Sequence, residues 1–135
     1  MFHEVAHGLG IKNTISGSGA VRSALKSDAS ALEEGKADVL GLYMVKSLRE
    51  QEGMIEEGTM EDNYVTFFAS IFRSIRFGSS SAHGRANLIL FNFFQEMGAF
   101  TYNEESKTYA INFDRVELFL ILRRSNSSSL FRPKF

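Results

Sequence analysis

Apolar side chains recur every three or four residues in the middle of the chain, as they do on one face of a helix. This pattern predicts a helix over residues 60–77, which Gly78 would end. The residues that form the apolar face are Val65, Phe68, Ile71, Phe72 and Ile75. Two further apolar segments, residues 30–52 and 81–97, are each followed by a glycine and predict two more helices.

The beginning of the segment 30–52 carries side chains that can cap a helix. Ser30 and Glu33 fit a capping box, so this helix is expected to begin at Ser30. A short helix up to about Leu9 is expected at the start of the chain, followed by a Gly- and Ser-rich loop over residues 12–20.

The pattern changes towards the C-terminus. Residues 100–102 and 108–113 read as two short strands joined by a polar turn, and a final helix is expected to end near Arg124. The predicted fold class is mainly α, with one small β-hairpin near the C-terminus. Residues 1–124 would form a single helical domain, and the Ser-rich residues 125–135 a loose tail.

Composition narrows the range of functions. The 135 residues include 44% hydrophobic residues and carry a formal net charge of −1, with no basic stripe, so no nucleic-acid partner is expected. No apolar segment is long enough to cross a bilayer, which predicts no membrane partner and a cytoplasmic location. Because the chain has no cysteine, a bound metal would need histidines and carboxylates as ligands.

The first residues of the chain form an HExxH motif. His3 and His7 would lie one turn apart on the same helical face, where both can reach one cation. Glu4 would face a metal-activated water and act as its general base. Because the motif begins at the third residue, we expect the chain to be the C-terminal part of a larger enzyme whose N-terminal lobe is missing.

A second acidic motif supplies what HExxH lacks. Catalytic zinc commonly has three protein ligands and one open position, and Glu34 is the natural third ligand. Asp38, one turn further on, could accept a hydrogen bond from a liganding histidine and fix its orientation. Glu33 is placed with Asp38 among the residues that support the ligands, although the capping box alone would explain it.

These motifs resemble those in the catalytic half of dipeptidyl peptidase III-type zinc peptidases. The sequence EEGKAD, residues 33–38, stands where that family has Glu-Glu-Cys-Arg-Ala-Glu, and residues 81–86 resemble its Ala-His-x-x-Ala segment. The resemblance implies a helical zinc-metallopeptidase catalytic lobe, one zinc ion, a peptide substrate and exopeptidase activity. It also implies that Glu34 binds the zinc and that His83 contacts the substrate or the transition-state oxyanion.

The chain departs from that family at several positions. Its HExxH motif lacks the family's additional residue, and Gly35 and Lys36 replace the cysteine and arginine of the second motif. Asn87 stands where the family has an arginine. These changes retain the zinc ligands and bear on substrate specificity. The shorter motif also fits the broader group, including thermolysin-like enzymes, whose third ligand lies in a Glu-x-x-x-Asp helix.

Two other functions are compatible with the same residues. The chain could be a zinc-binding fragment without turnover, since the substrate cleft of such enzymes needs a second wall. It could also be a metal-free helical interaction module in which HExxH is a coincidence. Bound zinc without peptidase activity would favour the fragment, and stoichiometric zinc that is lost in His7→Ala would eliminate the metal-free module.

Overall fold

The computed structural model of the protein describes residues 1–50 and 53–125. It is mostly helical, with one two-stranded antiparallel hairpin near the C-terminus, as the sequence predicts. The elements are α1 (Phe2–His7), α2 (Val21–Leu25), a 3₁₀ turn (Lys26–Asp28), α3 (Ala29–Glu50), α4 (Met60–Ile75), α5 (Ala82–Glu96), β1 (Phe100–Asn103), β2 (Thr108–Ile111) and α6 (Phe113–Ser125). Among the described residues, no helix is both long and apolar enough to cross a membrane.

Helix α3 is the element on which the first unit of the structure, residues 1–92, is assembled. It packs against α1, α2 and α4. Its buried positions include small residues, among them Ala31, Ala37 and Gly41. At Gly41 the backbones of α1 and α3 come so close that a Cβ atom on Gly41 would lie 3.2 Å from the backbone nitrogen of His3. The absence of a side chain at Gly41 therefore sets the distance between α1 and α3.

The apolar face predicted for α4 is buried in part. Of the predicted residues, Phe68 and Ile71 are almost completely buried, while Val65 is exposed; Tyr64, which was not predicted, is also buried. Phe72 packs edge-on against Phe91 of α5, with their ring centroids 5.9 Å apart. This aromatic contact joins α4 to α5, and α5 carries the third histidine of the chain.

The predicted capping box at the start of α3 is wrong. Ala29 already has helical dihedral angles, φ −52° and ψ −44°, so Ser30 lies inside the helix. A capping residue needs an extended backbone, which the preceding 3₁₀ turn denies to Ser30. A capping box is present instead at α4, where Thr59 and Asp62 bond reciprocally. Hydrogen bonds from the Thr59 backbone and hydroxyl lower the pKa of Asp62.

The second unit begins at Phe93, within α5. In the hairpin, Phe100 pairs with Ile111 and Asn103 with Thr108. The Asn112 side chain accepts a hydrogen bond from the backbone N–H of Arg115 at 3.3 Å, so Asn112 caps α6. The buried residues of this unit include Phe94, Ala99, Phe100, Val116 and Leu120.

The predicted domain boundaries remain predictions. Residues 126–135, most of the expected loose tail, lie outside the described residues. Residues 51 and 52, at the predicted end of the helix over residues 30–52, also lie outside them.

The cap of α4 provides a direct test of the fold. Thr59→Ala should destabilise the protein by about 1 kcal/mol, because the N–H of Asp62 loses its hydroxyl acceptor. Urea unfolding followed by circular dichroism measures the change. Thr66→Ala in the interior of the same helix is the matched control. It should change the free energy of unfolding little, since alanine has the higher helix propensity. Equal losses in the two variants would show that Thr59 is not a cap.

Candidate metal centre

The two histidines of α1 face one another one turn apart. Their ring centroids are 4.7 Å apart at an interplanar angle of 88°, and the Nε2 atoms of His3 and His7 lie 3.1 Å apart. Helix α1 has only six residues, so its contact with α3 determines where both rings lie.

Glu34 of α3 extends its carboxylate to both rings. Its Oε2 atom lies 3.2 Å from Nε2 of His3 and 3.6 Å from Nε2 of His7. This oxygen is buried and has no hydrogen-bonding partner among the described residues. The three sequence-predicted ligands are thus close together.

Two further carboxylates of α3 hold the outer nitrogens of the rings. His3 donates from Nδ1 to Oδ1 of Asp38 at 2.7 Å, and His7 donates from Nδ1 to Oε1 of Glu33 at 3.2 Å. Because an ionised carboxylate only accepts hydrogen bonds, the proton of each neutral ring lies on Nδ1. Each Nε2 then keeps its lone pair and directs it towards Oε2 of Glu34.

This donor set fits a zinc ion. Zinc–nitrogen bonds of about 2.0–2.1 Å at tetrahedral angles separate two ligand atoms by roughly 3.3–3.4 Å. The three separations among His3, His7 and Glu34 are 3.1, 3.2 and 3.6 Å. Two imidazole nitrogens and one carboxylate oxygen are also ligands that zinc prefers. Without a cation, three electron-rich atoms would repel one another, and the buried carboxylate oxygen would lack a partner.

Burial and neighbouring charges affect the two supporting carboxylates differently. Burial raises the pKa of Asp38, against the opposing effect of its hydrogen bond with His3. The hydrogen bond from Lys36 lowers the pKa of Glu33, and His7 contributes in the same direction.

Lys36 is a site residue to which sequence reasoning assigned no role. Its ammonium donates to Oε1 of Glu33 at 2.6 Å and to the backbone carbonyl of Leu9 at 2.8 Å. Lys36 therefore links the segment after α1 to the carboxylate that orients His7. The three-residue spacing from Glu33 on a helix was the available signal. The hydrogen bond from Lys36 to the carbonyl of Leu9 could not be predicted from the sequence.

The two residues with predicted catalytic roles lie in different surroundings. Glu4 is on α1 between the two histidines and is exposed, and no described residue holds its carboxylate in a hydrogen bond or ion pair. His83, at the start of α5, brings Nε2 to 3.0 Å from Oε2 of Glu34. All three histidines of the chain therefore lie near the same carboxylate oxygen.

Comparisons with known proteins show two similarities. Over 119 residues, 85% of this chain, it is 41% identical to Nudix hydrolase 3 of Arabidopsis thaliana, and the match covers 15% of that protein. A solved structure of dipeptidyl peptidase III from Caldithrix abyssi superposes with a TM-score of 0.80 and 38% identity, over 88% of this chain and 23% of that one. No family model matches the chain.

Both similar proteins are named as hydrolases, and the structural similarity supports the resemblance to dipeptidyl peptidase III and its helical fold. The Arabidopsis name points to a different hydrolase class. The chain spans less than a quarter of the length of either protein. Neither name by itself therefore assigns a reaction to this segment.

The close approach at Gly41 predicts a specific sensitivity of the metal centre. Gly41→Ala should push the backbone of His3 away from α3, and so lower the affinity for zinc about tenfold or more. Gly35→Ala on the same helix is the matched control, because its Cβ would lie 3.9 Å from that of Ala86, an ordinary contact. Isothermal titration with zinc measures both affinities. Equal affinities in the two variants would contradict the proposed role of Gly41.

The link through Lys36 predicts a second sensitivity. Lys36→Met removes the hydrogen bonds to Glu33 and to Leu9, and zinc affinity should fall about 10- to 100-fold because the ring of His7 loses its support. Lys36→Arg should restore most of the affinity. Lys46→Met, at an ion pair elsewhere on α3, is the control and should leave zinc binding unchanged. An unaltered affinity in Lys36→Met would remove Lys36 from the site.

Proposed function

We propose that this chain is the zinc-binding catalytic region of a metallopeptidase resembling dipeptidyl peptidase III. One observation carries the proposal: a buried carboxylate oxygen that has no hydrogen-bonding partner among the described residues faces the imidazole nitrogens of all three histidines at 3.0–3.6 Å. A divalent cation would satisfy that oxygen and these nitrogens together. His3, His7 and Glu34 are the proposed ligands of one zinc ion.

When bound, zinc supplies a Lewis acid that polarises a carbonyl group and acidifies water. Asp38 and Glu33 hold the Nδ1 protons of His3 and His7, so that both Nε2 lone pairs remain available for the ion. The protein thus provides ligands whose tautomers are already set. This reduces the ordering that metal binding would otherwise require.

Glu4 is the proposed general base. It lies between the two histidines on α1, and its exposed carboxylate is not held by another described side chain. It can therefore accept a proton from an attacking water and return it to the leaving amine of a peptide. His83 is the proposed contact to the substrate carbonyl oxygen, since its ring is exposed beside the ligands.

Zinc binding without turnover is the second candidate function. It needs the same ligands without a complete peptide cleft, which requires walls on both sides of the metal. The chain spans 15% and 23% of the lengths of the two similar proteins. The same ligands serve both functions. The two functions differ in whether a peptide substrate binds near Glu4.

Metal analysis and peptide hydrolysis together test the proposal. The purified chain should bind one zinc ion, and His7→Ala should abolish stoichiometric binding. Hydrolysis of short peptides should fall about 10²- to 10⁴-fold in Glu4→Gln while zinc is retained, because only the base is lost. Glu61→Gln, the same change at an exposed position of α4, is the control for a general effect of lost charge.

Three outcomes distinguish the candidate functions. Zinc with hydrolysis that depends on Glu4 supports the peptidase. Stoichiometric zinc without hydrolysis supports the fragment without turnover. Absence of zinc, with no change in His7→Ala, would leave a metal-free helical module and overturn both proposals.

A further inference from the structure

We propose that His83 acts as a fourth metal ligand in the resting protein and closes the site until substrate displaces it. This inference rests on the proposed zinc site and concerns its regulation. A three-ligand site with an open position binds water or substrate, whereas a four-ligand site is closed and inert. The position of His83 would thus decide between a catalytic and a structural centre.

The distances place His83 among the ligand atoms. Its Nε2 lies 3.0 Å from Oε2 of Glu34, closer than the Nε2 atoms of His3 and His7. The ligand atoms of His3, Glu34 and His83 all lie within 4.8 Å of one another. The rings of His3 and His83 are stacked, with centroids 6.1 Å apart and planes 23° from parallel. The 3.0 Å separation of His83 Nε2 from Glu34 Oε2 suits a nitrogen and an oxygen that share a cation.

The backbone around His83 is held in place by close contacts. A Cβ at Gly84 would lie 2.3 Å from the carbonyl oxygen of Gly78, so the first turn of α5 presses against the preceding loop. Ser81 Oγ accepts a hydrogen bond from the Gly84 N–H at 3.0 Å, and Asn87 donates to the carbonyl of His83 at 2.8 Å. The position of His83 beside Glu34 is therefore built into the start of α5.

The side chain of His83 can nevertheless rotate away from Glu34. Its exposed fraction is 64%, against 26% for His3 and 30% for His7, and no supporting carboxylate holds its Nδ1 among the described contacts. Rotation of the ring into solvent would break few contacts, and the other ligands would stay in place. The released position would then be available to water or to a peptide carbonyl. The exchange replaces one ligand by another and involves no redox change.

Cobalt(II) binding in the full chain tests this inference, because the absorption spectrum of cobalt reports its ligands. The unaltered chain should bind cobalt with a spectrum that azide does not change, since no position is open. His83→Ala should lower cobalt affinity about tenfold or more, and azide should then alter the spectrum. His83→Gln, which keeps a polar side chain, should behave in the same way. Thermal unfolding verifies that both variants are folded.

Arg85→Ala is the matched control, since Arg85 is exposed on the same turn of α5. It should keep both the affinity and the insensitivity to azide. If the unaltered chain already responds to azide and His83→Ala binds cobalt equally well, the site is open and the inference is overturned while the proposed zinc site stands. If the unaltered chain binds no cobalt, the proposed function fails, and the inference fails with it.

Discussion

The close contact of α1 with α3 at Gly41 is the constraint on which the rest of the site depends. A helix of six residues has little stability of its own, so the positions of His3 and His7 depend on the helix beneath them. Because Gly41 has no Cβ, the backbone of α1 approaches α3 closely enough for Glu34 to reach both rings. A wider spacing between α1 and α3 would move His3 and His7 away from Glu34.

This geometry carries an electrostatic cost in the absence of metal. Glu33, Glu34 and Asp38 place three carboxylates within six residues of one helix, and within the described part of the chain the buried oxygen of Glu34 has no hydrogen-bonding partner. Burial also raises the pKa of Asp38, which shows that its charged form is disfavoured there. A cation bound at this point would offset these costs, so zinc binding and folding stability should be coupled. Lys36 supplies a positive charge beside Glu33.

The sequence allowed much of this site to be predicted, because the relevant spacings are local. Four residues separate His3 from His7 and Glu34 from Asp38, and a helical turn places each pair on one face. Long helices and the hairpin were also predictable from periodicity and turn residues. The boundaries differ by a few residues, for the physical reason seen at Ser30, whose backbone continues a preceding helical turn.

Contacts between elements were not predictable in the same way. In the sequence, Gly41 is an ordinary helical glycine, and the spacing of Lys36 from Glu33 indicates only an ion pair on one helix. Their contacts with α1 and the segment after it arise only when α1 lies against α3. His83 was linked to catalysis through a resemblance, and its approach to Glu34 depends on Gly84, which lets α5 lie against the preceding loop. Local spacing thus identifies the proposed metal ligands, whereas tertiary packing brings them and their supporting residues together. Substitutions in the packing residues should change metal affinity without altering any recognisable motif.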